Sequence, residues 1–374
     1  IVAARRTPIG TTGHALRQVP VDELAAPVLQ ALSTDVIGIP GPIGQVVLGN
    51  CMGPGGNTAR VAALAAGLPI ETPGLTVDLQ CGSGLAAITT ACSMVRAGMK
   101  GAALAGGAES ASTAPWRLWP PAGEGQEPRR YTRAPFAPVE VGDPEMGRAA
   151  DALSHAGAIG RERQDRYAAR SHQRAAQAQA AGRFAPELVT VGGLDRDERV
   201  RPGMSAAKLA RLRPAFSDGG TVTAGNSCAV SDGAAAVAIV DAQSAAAAGM
   251  PGLACVDWAI CGVDPNLPGL GPVPAIETLL QRNRLRLDDL GVIEINEAFA
   301  GQVLACCDAL GLDEHRVCHD GGALALGHPW GASGAVLAVR LFTQMAREDG
   351  PDLGLAAIAV GGGIGVALLV ERVR

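Results

Sequence analysis

Two segments of the chain share one pattern, and this repeat constrains the fold more than any other feature. Residues 81–107 run from Cys-Gly-Ser-Gly through a helical stretch to an apolar strand and a Gly-Gly stop. Residues 331–363 run from Gly-Ala-Ser-Gly through a helical stretch to an apolar strand and a triple glycine. Because each segment has the same order of turn, helix, strand and stop, the repeat predicts two similar α/β halves.

The composition agrees with closely packed helices and strands. Alanine (69) and glycine (50) make up about a third of the 374 residues, and only 3% are aromatic. Apolar runs at 45–49, 75–79 and 102–105 alternate with helical stretches at 60–66 and 84–97, which favours a mostly parallel sheet in residues 1–113. A hydrophobic content of 48% with a net charge of −5 excludes disorder, and no 18-residue stretch is apolar enough to span a membrane.

The middle of the chain, residues 114–215, has a different character. Its entry is broken by six prolines, and an arginine-rich helix is predicted over Arg161–Ala181, ended by Gly182. The segment carries a charge of +5, whereas the remainder carries −10. Such an asymmetry indicates either a partner with phosphates or a solvated arginine-rich surface. Nucleic acid is disfavoured, since no basic run is interleaved with aromatic residues.

The nine cysteines do not form a disulfide or metal-binding pattern. Their number is odd and they are scattered through apolar surroundings, which predicts reduced thiols and a cytoplasmic location. Cys306-Cys307 and Cys318-His319-Asp320 have no second Cys/His cluster at finger spacing, so no metal site is predicted.

Cys81 is the first candidate for chemistry. It follows the predicted strand Leu75–Leu79 and precedes the helix Gly84–Ala97. A helix N-terminus favours the thiolate, so we expect a lowered pKa and a nucleophilic sulfur. The alternative is a structural cysteine at a tight turn.

Three further positions attract attention. His328 lies in the glycine-dense stretch 321–334 and is held by Pro329, which suits a base for a nearby thiol or a structural histidine. Asn296 follows the predicted strand Val292–Ile295, where a crevice side chain or an ordinary helix cap is expected. Gly361 opens the triple glycine, which suits an oxyanion-binding N–H or a tight hairpin.

Taken together, these motifs resemble the thiolase family, over essentially the whole chain. The matching blocks, in the family's order, are 56–60 (Gly-Asn-Thr-Ala-Arg), 81–84 (Cys-Gly-Ser-Gly), 146–151 (Met-Gly-Arg-Ala-Ala-Asp), 212–216 (Leu-Arg-Pro-Ala-Phe), 223–226 (Thr-Ala-Gly-Asn), 231–236 (Ser-Asp-Gly-Ala-Ala-Ala), 296–299 (Asn-Glu-Ala-Phe) and 327–329 (Gly-His-Pro). The resemblance implies a five-layer αβαβα fold made of halves 1–245 and 246–374. It also implies a CoA-binding loop domain inserted at about 114–215, and a homodimer or homotetramer.

The resemblance also implies roles. Cys81 would accept the acyl group and His328 would activate it. His328 and a water held by Asn296 would form one oxyanion hole, and the N–H groups of Cys81 and Gly361 a second. Four residues match positions that contact CoA: Met146, Arg201, Phe216 and Cys228. CoA would be substrate and product, with acyl-CoA as the other partner and no permanently bound cofactor, nucleic acid or membrane.

Four positions depart from the family pattern. Ala359 stands where a second catalytic cysteine is usual, Cys228 replaces a serine, Asp320 an asparagine and Glu145 a common histidine. Because alanine cannot transfer a proton, the sequence predicts an acyltransferase on acyl-CoA and 3-ketoacyl-CoA whose carbon–carbon step is impaired or altered.

The replacement acid/base and the function itself both leave alternatives. Cys318, His319 and a water are the candidate replacements for the missing thiol. The alternative functions are an acyl-CoA hydrolase or acyl-transfer enzyme that uses only the Cys81 half-reaction, and a non-catalytic CoA-binding subunit.

Overall fold

The computed structural model describes residues 1–373. The β-strands, in chain order, are β1 (Ala3–Arg6), β2 (Gly10–Thr11), β3 (Ile43–Gly49), β4 (Gly74–Val77), β5 (Ala102–Ser110), β6 (Arg117–Trp119), β7 (Arg129–Tyr131), β8 (Ser231–Ile239), β9 (Gly252–Gly262), β10 (Val292–Ile295), β11 (Leu353–Val360) and β12 (Ile364–Val373).

The α-helices are α1 (Val21–Asp35), α2 (Thr58–Ala65), α3 (Ser83–Arg96), α4 (Met146–Ala156), α5 (Arg161–Ala180), α6 (Ala206–Leu209), α7 (Ala242–Ala247), α8 (Pro272–Asn283), α9 (Ala300–Leu310), α10 (Ala323–Leu326) and α11 (Trp330–Phe342). Short 3₁₀ turns lie at Ala185–Glu187, Pro268–Leu270, Leu287–Asp289 and Glu314–Arg316, and a π turn at Thr343–Arg347 follows α11. Within residues 1–373, no helix is both long enough and apolar enough to cross a membrane.

Two main sheets form the framework. The first has the order β1-β8-β5-β3-β4, with β2 beside β8, and the second has the order β10-β11-β12-β9. Strands β3, β4 and β5 run parallel, as predicted for residues 1–113. Strand β8 returns after the middle segment and joins antiparallel between β1 and β5, so the complete sheet is mixed.

Helices cover both faces of each sheet, which gives five layers. Helices α1 and α2 pack on the outer face of the first sheet, α3 and α11 lie between the sheets, and α8 and α9 cover the second sheet. Alternating residues of one strand enter different cores: Val47 faces the central layer, whereas Val46 and Leu48 face α1 and α2. The five-layer αβαβα prediction is confirmed.

The two central helices are those of the sequence repeat, and they touch through glycine. A Cβ atom on Gly84 of α3 would lie 2.8 Å from the carbonyl oxygen of Gly331, at the start of α11. A Cβ atom on Gly334 of α11 would lie 2.6 Å from the backbone nitrogen of Leu85. Only residues without a side chain permit this approach, which explains the small residues of both motifs.

The middle segment is tied to the rest of the fold by buried ion pairs. The carboxylate of Glu187 accepts hydrogen bonds from Arg6 Nε (2.7 Å) and Arg340 Nη1 (2.6 Å), and Arg6 also pairs with Asp197. All four side chains are at most 2% exposed. The predicted helix in this segment is confirmed as α5, one residue shorter than expected.

Candidate active site

A cavity of about 340 Å³ opens between the two halves of the chain and the middle segment. Its wall includes most of the residues predicted from sequence: Cys81, Met146, Phe216, Cys228, His328 and Gly361. Asn296 and Arg201 do not line it. Asn296 instead lines a second cavity of about 10 Å³, which it shares with Ser333.

Cys81 sits in a tight loop between β4 and α3. Gln80, just before it, has a left-handed backbone (φ 46°), and Gly82 caps the helix. The Ser83 hydroxyl accepts from Leu79 N (2.8 Å) and donates to Gln80 O (2.6 Å), so the turn is fixed from both sides. The strained Gln80 conformation turns the chain sharply enough to present Cys81 to the cavity.

The lowered pKa expected for Cys81 is wrong. Burial raises the pKa of this thiol to about 12, and the backbone N–H groups of Cys81 and Gly361 offset it only in part. The negative charges of Glu109 and Asp78 raise it further. Desolvation of the thiolate thus outweighs the favourable amides, so the resting sulfur carries a proton.

His328 is held by its backbone on one side and by its ring on the other. Its N–H donates to Ala229 O (3.0 Å) and to Ser231 Oγ (3.1 Å), beside the bridge between His328 and Val230. The ring Nδ1 lies 2.5 Å from Ser333 Oγ, on the first turn of α11. The side chain is 3% exposed, and within residues 1–373 Nε2 has no hydrogen-bond partner.

The histidine is neutral at physiological pH. Burial lowers the pKa of His328 to about 4, because the imidazolium would lose its hydration. A neutral ring with a free, buried nitrogen facing a substrate cavity can take a proton from a thiol.

The triple glycine is both a hairpin turn and a donor. It joins β11 to β12, and Gly362 (φ 84°) and Gly363 (φ 78°) supply the left-handed conformations of the turn. The backbone N–H of Gly361 acts on the sulfur of Cys81 and favours its charged form. The hairpin alternative is therefore observed, and oxyanion binding by the Gly361 N–H stays a prediction.

Cys228 lies close to both catalytic candidates. Its backbone N–H donates to Ala298 O (2.9 Å), and the following residue, Ala229, accepts the His328 N–H. Burial raises the pKa of Cys228 to about 12, and the charge of Cys81 adds to this increase. Cys228 and Cys81 line the same cavity.

Asn296 is buried outside the main cavity. Its backbone N–H donates to Ala357 O (2.9 Å), and its side chain is 3% exposed. Nδ2 has no hydrogen-bond partner among the described residues, although it is a strong donor. The 10 Å³ cavity beside it is about the size of one water molecule.

The remaining wall is largely apolar. Met146 begins α4, and Phe216 packs edge-to-face on Phe299 with ring centroids 6.2 Å apart. Glu145 accepts from the N–H groups of Gly147 and Arg148 and caps the helix. Such a largely apolar wall accommodates an uncharged chain.

Arg201 lies outside this cavity, on an exposed turn after Val200. The pKa of His172 is lowered to about 4, mainly by burial. The positive charges of Arg199 and Arg201 lower it further. A positive region therefore exists at this position of the middle segment, consistent with the charge asymmetry of the sequence.

The candidate replacements for the missing acid/base do not reach the cavity. Cys318 is buried elsewhere and donates from Sγ to Ile295 O (3.2 Å), and His319 is exposed on the surface. Ala359 itself lines the cavity wall. The suggestion that Cys318 or His319 stands in for a thiol at position 359 is therefore wrong for this structure. Asp320 instead binds Arg183 and Arg340.

One functional residue was missed from the sequence. Glu109, at 0% exposure, accepts from the backbone N–H groups of Cys51 (3.1 Å), Met52 (3.0 Å) and Gly331 (3.0 Å). Glu109 therefore links the loop at Cys51 and Met52 to the start of α11 at Gly331. Met52 is part of the cavity wall. The available signal was a carboxylate within the small-residue strand β5.

Across residues 1–373, no three His, Cys, Asp or Glu side chains are grouped so as to hold a metal ion. A thiol and a neutral imidazole that line one largely apolar cavity are a pair suited to acyl transfer through cysteine. The class of protein follows from the comparisons with known families. The model for the thiolase N-terminal domain matches residues 1–243 and that for the thiolase C-terminal domain matches residues 251–372. The chain therefore belongs to the thiolase family of acyltransferases.

Individual relatives agree over the full length. The chain is 42% identical to a provisionally named acetyl-CoA C-acetyltransferase of Bacillus subtilis (strain 168), over 99% of this chain and 98% of that protein. It is 43% identical to a protein of the same provisional name from Staphylococcus aureus (strain MRSA252), over 100% and 98%.

Solved structures are equally similar. The acetyl-CoA acetyltransferase of Bacillus anthracis superposes with a TM-score of 0.93 at 38% identity, covering 100% of this chain and 98% of that one. Human mitochondrial 3-ketoacyl-CoA thiolase in complex with CoA superposes with a TM-score of 0.92 at 32% identity, covering 100% and 97%.

Proposed function

We propose that this protein transfers acyl groups between CoA thioesters through an acyl-enzyme on Cys81, with an altered carbon–carbon step. The observation that carries the proposal is the unpartnered Nε2 of buried His328, which faces the same cavity as Cys81. A buried nitrogen without a partner is costly, so it is expected to be satisfied by a thiol or a substrate oxygen during turnover.

The resting charges define how the first step proceeds. Both groups are neutral, because burial raises the pKa of Cys81 to about 12 and lowers the pKa of His328 to about 4. Cys81 therefore loses its proton to His328 as its sulfur attacks the carbonyl carbon, and not beforehand. The N–H of Gly361, which already acts on the sulfur, is close enough to stabilise the oxyanion that forms there.

The cavity supports a thioester with a slender, mostly uncharged arm. Met146 and Phe216 supply apolar wall, and Cys81, Cys228 and His328 line the same cavity. We assign the nucleotide end of CoA to the positive region of the middle segment near Arg201. Asn296, whose Nδ2 is unpartnered, would hold a water beside His328 and complete the hole for the enolate oxygen.

The carbon–carbon step is altered because Ala359 has no proton to give. Cleavage of a 3-ketoacyl-CoA leaves an enolate that must be protonated at carbon, and a positioned acid commonly contributes about 10²–10⁴-fold to such a step. Acylation of Cys81 needs no such group. The two half-reactions are therefore expected to depend on different residues.

We extend the proposal to a homodimer or homotetramer. Strand β4 is at the edge of the first sheet, and apolar side chains are exposed around it: Val61, Leu64, Ile70 and Leu75. An apolar sheet edge of this kind is usually covered by another chain. The expected measurement is a particle of at least two chains in light scattering, reduced to one by Leu75→Asp.

The decisive experiment is intact-protein mass spectrometry after incubation with acetyl-CoA. We expect an acetyl adduct on the wild type and none on Cys81→Ser. Cys307→Ser, a buried thiol of α9 outside the cavity, is the matched control and should keep the adduct. Addition of CoA should remove the acetyl group and regenerate acetyl-CoA.

Three outcomes would contradict the proposal. An adduct that survives Cys81→Ser would remove Cys81 from the reaction. Release of CoA and acetate without an acceptor would indicate a hydrolase. Tight CoA binding without any adduct or turnover would indicate a non-catalytic subunit.

A further inference from the structure

We propose that Cys228 is a catalytic thiol of the carbon–carbon step and exchanges the proton at the substrate α-carbon. This inference rests on the proposed function and names the group that replaces a thiol at position 359. It arises from the arrangement of the cavity, whereas the sequence assigned Cys228 only to a position that contacts CoA.

Few groups in the cavity can carry a proton. Apart from Arg117 and Arg133, which keep their charge, the ionisable side chains that line it are Cys81, Cys228, His328 and Glu145. The Glu145 carboxylate accepts hydrogen bonds from the backbone N–H groups of Gly147 and Arg148, which hold it at the start of α4. Cys81 and His328 are committed to each other in the acylation step. Cys228 is the remaining proton carrier.

The backbone fixes Cys228 between the two loops that make the site. On one side its N–H donates to Ala298 O (2.9 Å), two residues after Asn296. On the other side its neighbour Ala229 accepts the His328 N–H (3.0 Å). The thiol is therefore held beside the base and near the asparagine proposed for the enolate hole.

A second observation shows that a ligand belongs at this spot. The Nε2 atom of His328 has no hydrogen-bond partner within the described part of the chain. The residue is only 3% exposed, so this nitrogen is shielded from solvent. His328 lines the same cavity as Cys228. A reacting carbon that is activated by His328 thus comes to lie beside Cys228.

The resting protonation state suits an acid. The pKa of Cys228 is raised to about 12, by burial first and by the Cys81 charge next, and Arg199 offsets this in part. The thiol therefore keeps its proton until a stronger base, such as an enolate carbon, appears beside it. Arg199 then stabilises the thiolate that is left.

The proton balance closes over the two half-reactions. Cys81 gives its proton to His328 and attacks C3 of the 3-ketoacyl-CoA, and the C2–C3 bond breaks with its electron pair going to C2. Cys228 protonates C2, and acetyl-CoA leaves. The imidazolium of His328 then returns its proton to the Cys228 thiolate. In the second half-reaction neutral His328 takes the proton of the incoming CoA thiol as the CoA sulfur attacks the acyl group, and Cys81 leaves as a thiolate that recovers this proton from His328.

The test separates exchange at carbon from acylation at sulfur. Incubation of the enzyme with acetyl-CoA in D₂O, followed by mass spectrometry of the acetyl group, measures proton exchange at the α-carbon. We expect Cys228→Ser to slow this exchange by at least about 100-fold, since a hydroxyl is far too weak an acid. Acetylation of Cys81 should change by less than about threefold. Cys307→Ser should leave both rates unchanged.

A rescue variant guards against a merely structural effect. Ala359→Cys in the Cys228→Ser background places a thiol at another position of the same cavity wall, and we expect it to restore at least a tenth of the exchange rate. Wild-type exchange in Cys228→Ser, equal losses of exchange and acylation, or a wild type that acylates Cys81 without any exchange would each overturn the inference. A wild type that exchanges protons through Cys228 but is never acylated would overturn only the proposed function.

Discussion

The Nδ1 atom of His328 lies 2.5 Å from the hydroxyl oxygen of Ser333, and that hydroxyl also donates to Pro329 O at 3.0 Å. A hydroxyl has one proton, and the proline carbonyl takes it. The short contact is therefore a hydrogen bond from Nδ1–H to Ser333 Oγ, which leaves a lone pair on Nε2. Ser333 is a positioning residue that keeps His328 in the tautomer able to act as a base.

Ser333→Ala should slow acetylation of Cys81 by about tenfold, a change of about 1.4 kcal/mol in the barrier. The reason is that the ring loses the acceptor that selects its tautomer. Rapid-quench mass spectrometry measures the rate at saturating acetyl-CoA. Ser154→Ala, which removes a similarly buried hydroxyl bonded to Ala150 O, is the control and should have little effect. Equal rates in wild type and Ser333→Ala would refute the assignment.

The rate of Cys81 acetylation should be flat between about pH 6 and pH 8. A histidine is an effective base only above its pKa, and the pKa of His328 is lowered to about 4. The rate should therefore decline only as the pH approaches 4, where the ring becomes protonated. Quenched-flow acetylation from pH 5 to pH 8 checks this. A decline centred near pH 6.5, the ordinary histidine value, would contradict the burial argument.

Arg201→Ala should weaken binding of CoA by about two- to fivefold, the range for an exposed ionic contact. Binding of a pantetheine thioester, which lacks the nucleotide, should not change. Isothermal titration at two salt concentrations measures both, and the effect should shrink as salt rises. Arg286→Ala removes an exposed arginine from the second half and is the control. Equal losses for both ligands would count against a phosphate contact.

Glu187→Ala should lower the free energy of unfolding by about 3–5 kcal/mol. The variant leaves the buried guanidinium groups of Arg6 and Arg340 without this carboxylate, and it also removes the acceptor for Thr343 Oγ1 (2.8 Å). Urea unfolding followed by circular dichroism measures the change at one protein concentration. Glu162→Ala removes an exposed partner of Arg166 and should change stability little. A loss below 1 kcal/mol for Glu187→Ala would be unexpected.

Local patterns determined most of the elements that carry the site. The strand Val292–Ile295 was predicted with its observed bounds, and the helix after Cys81 was displaced by only one residue at each end. These features can be predicted from sequence, because the spacing of apolar residues and the small residues of a turn depend only on a few neighbouring positions. The division of the chain at residue 245 and the catalytic roles stay predictions.

The sequence alone determined that two related α/β halves exist and that Cys81, His328 and the triple glycine end strands or begin helices. Only the tertiary structure decided what surrounds those groups. Burial reversed the expected pKa of Cys81. The packing of distant segments kept Cys318 and His319 out of the cavity and brought Cys228 and His328 to the same cavity wall. The physical reason is that desolvation and proximity depend on chain segments far apart in sequence, and no local pattern records which of them meet.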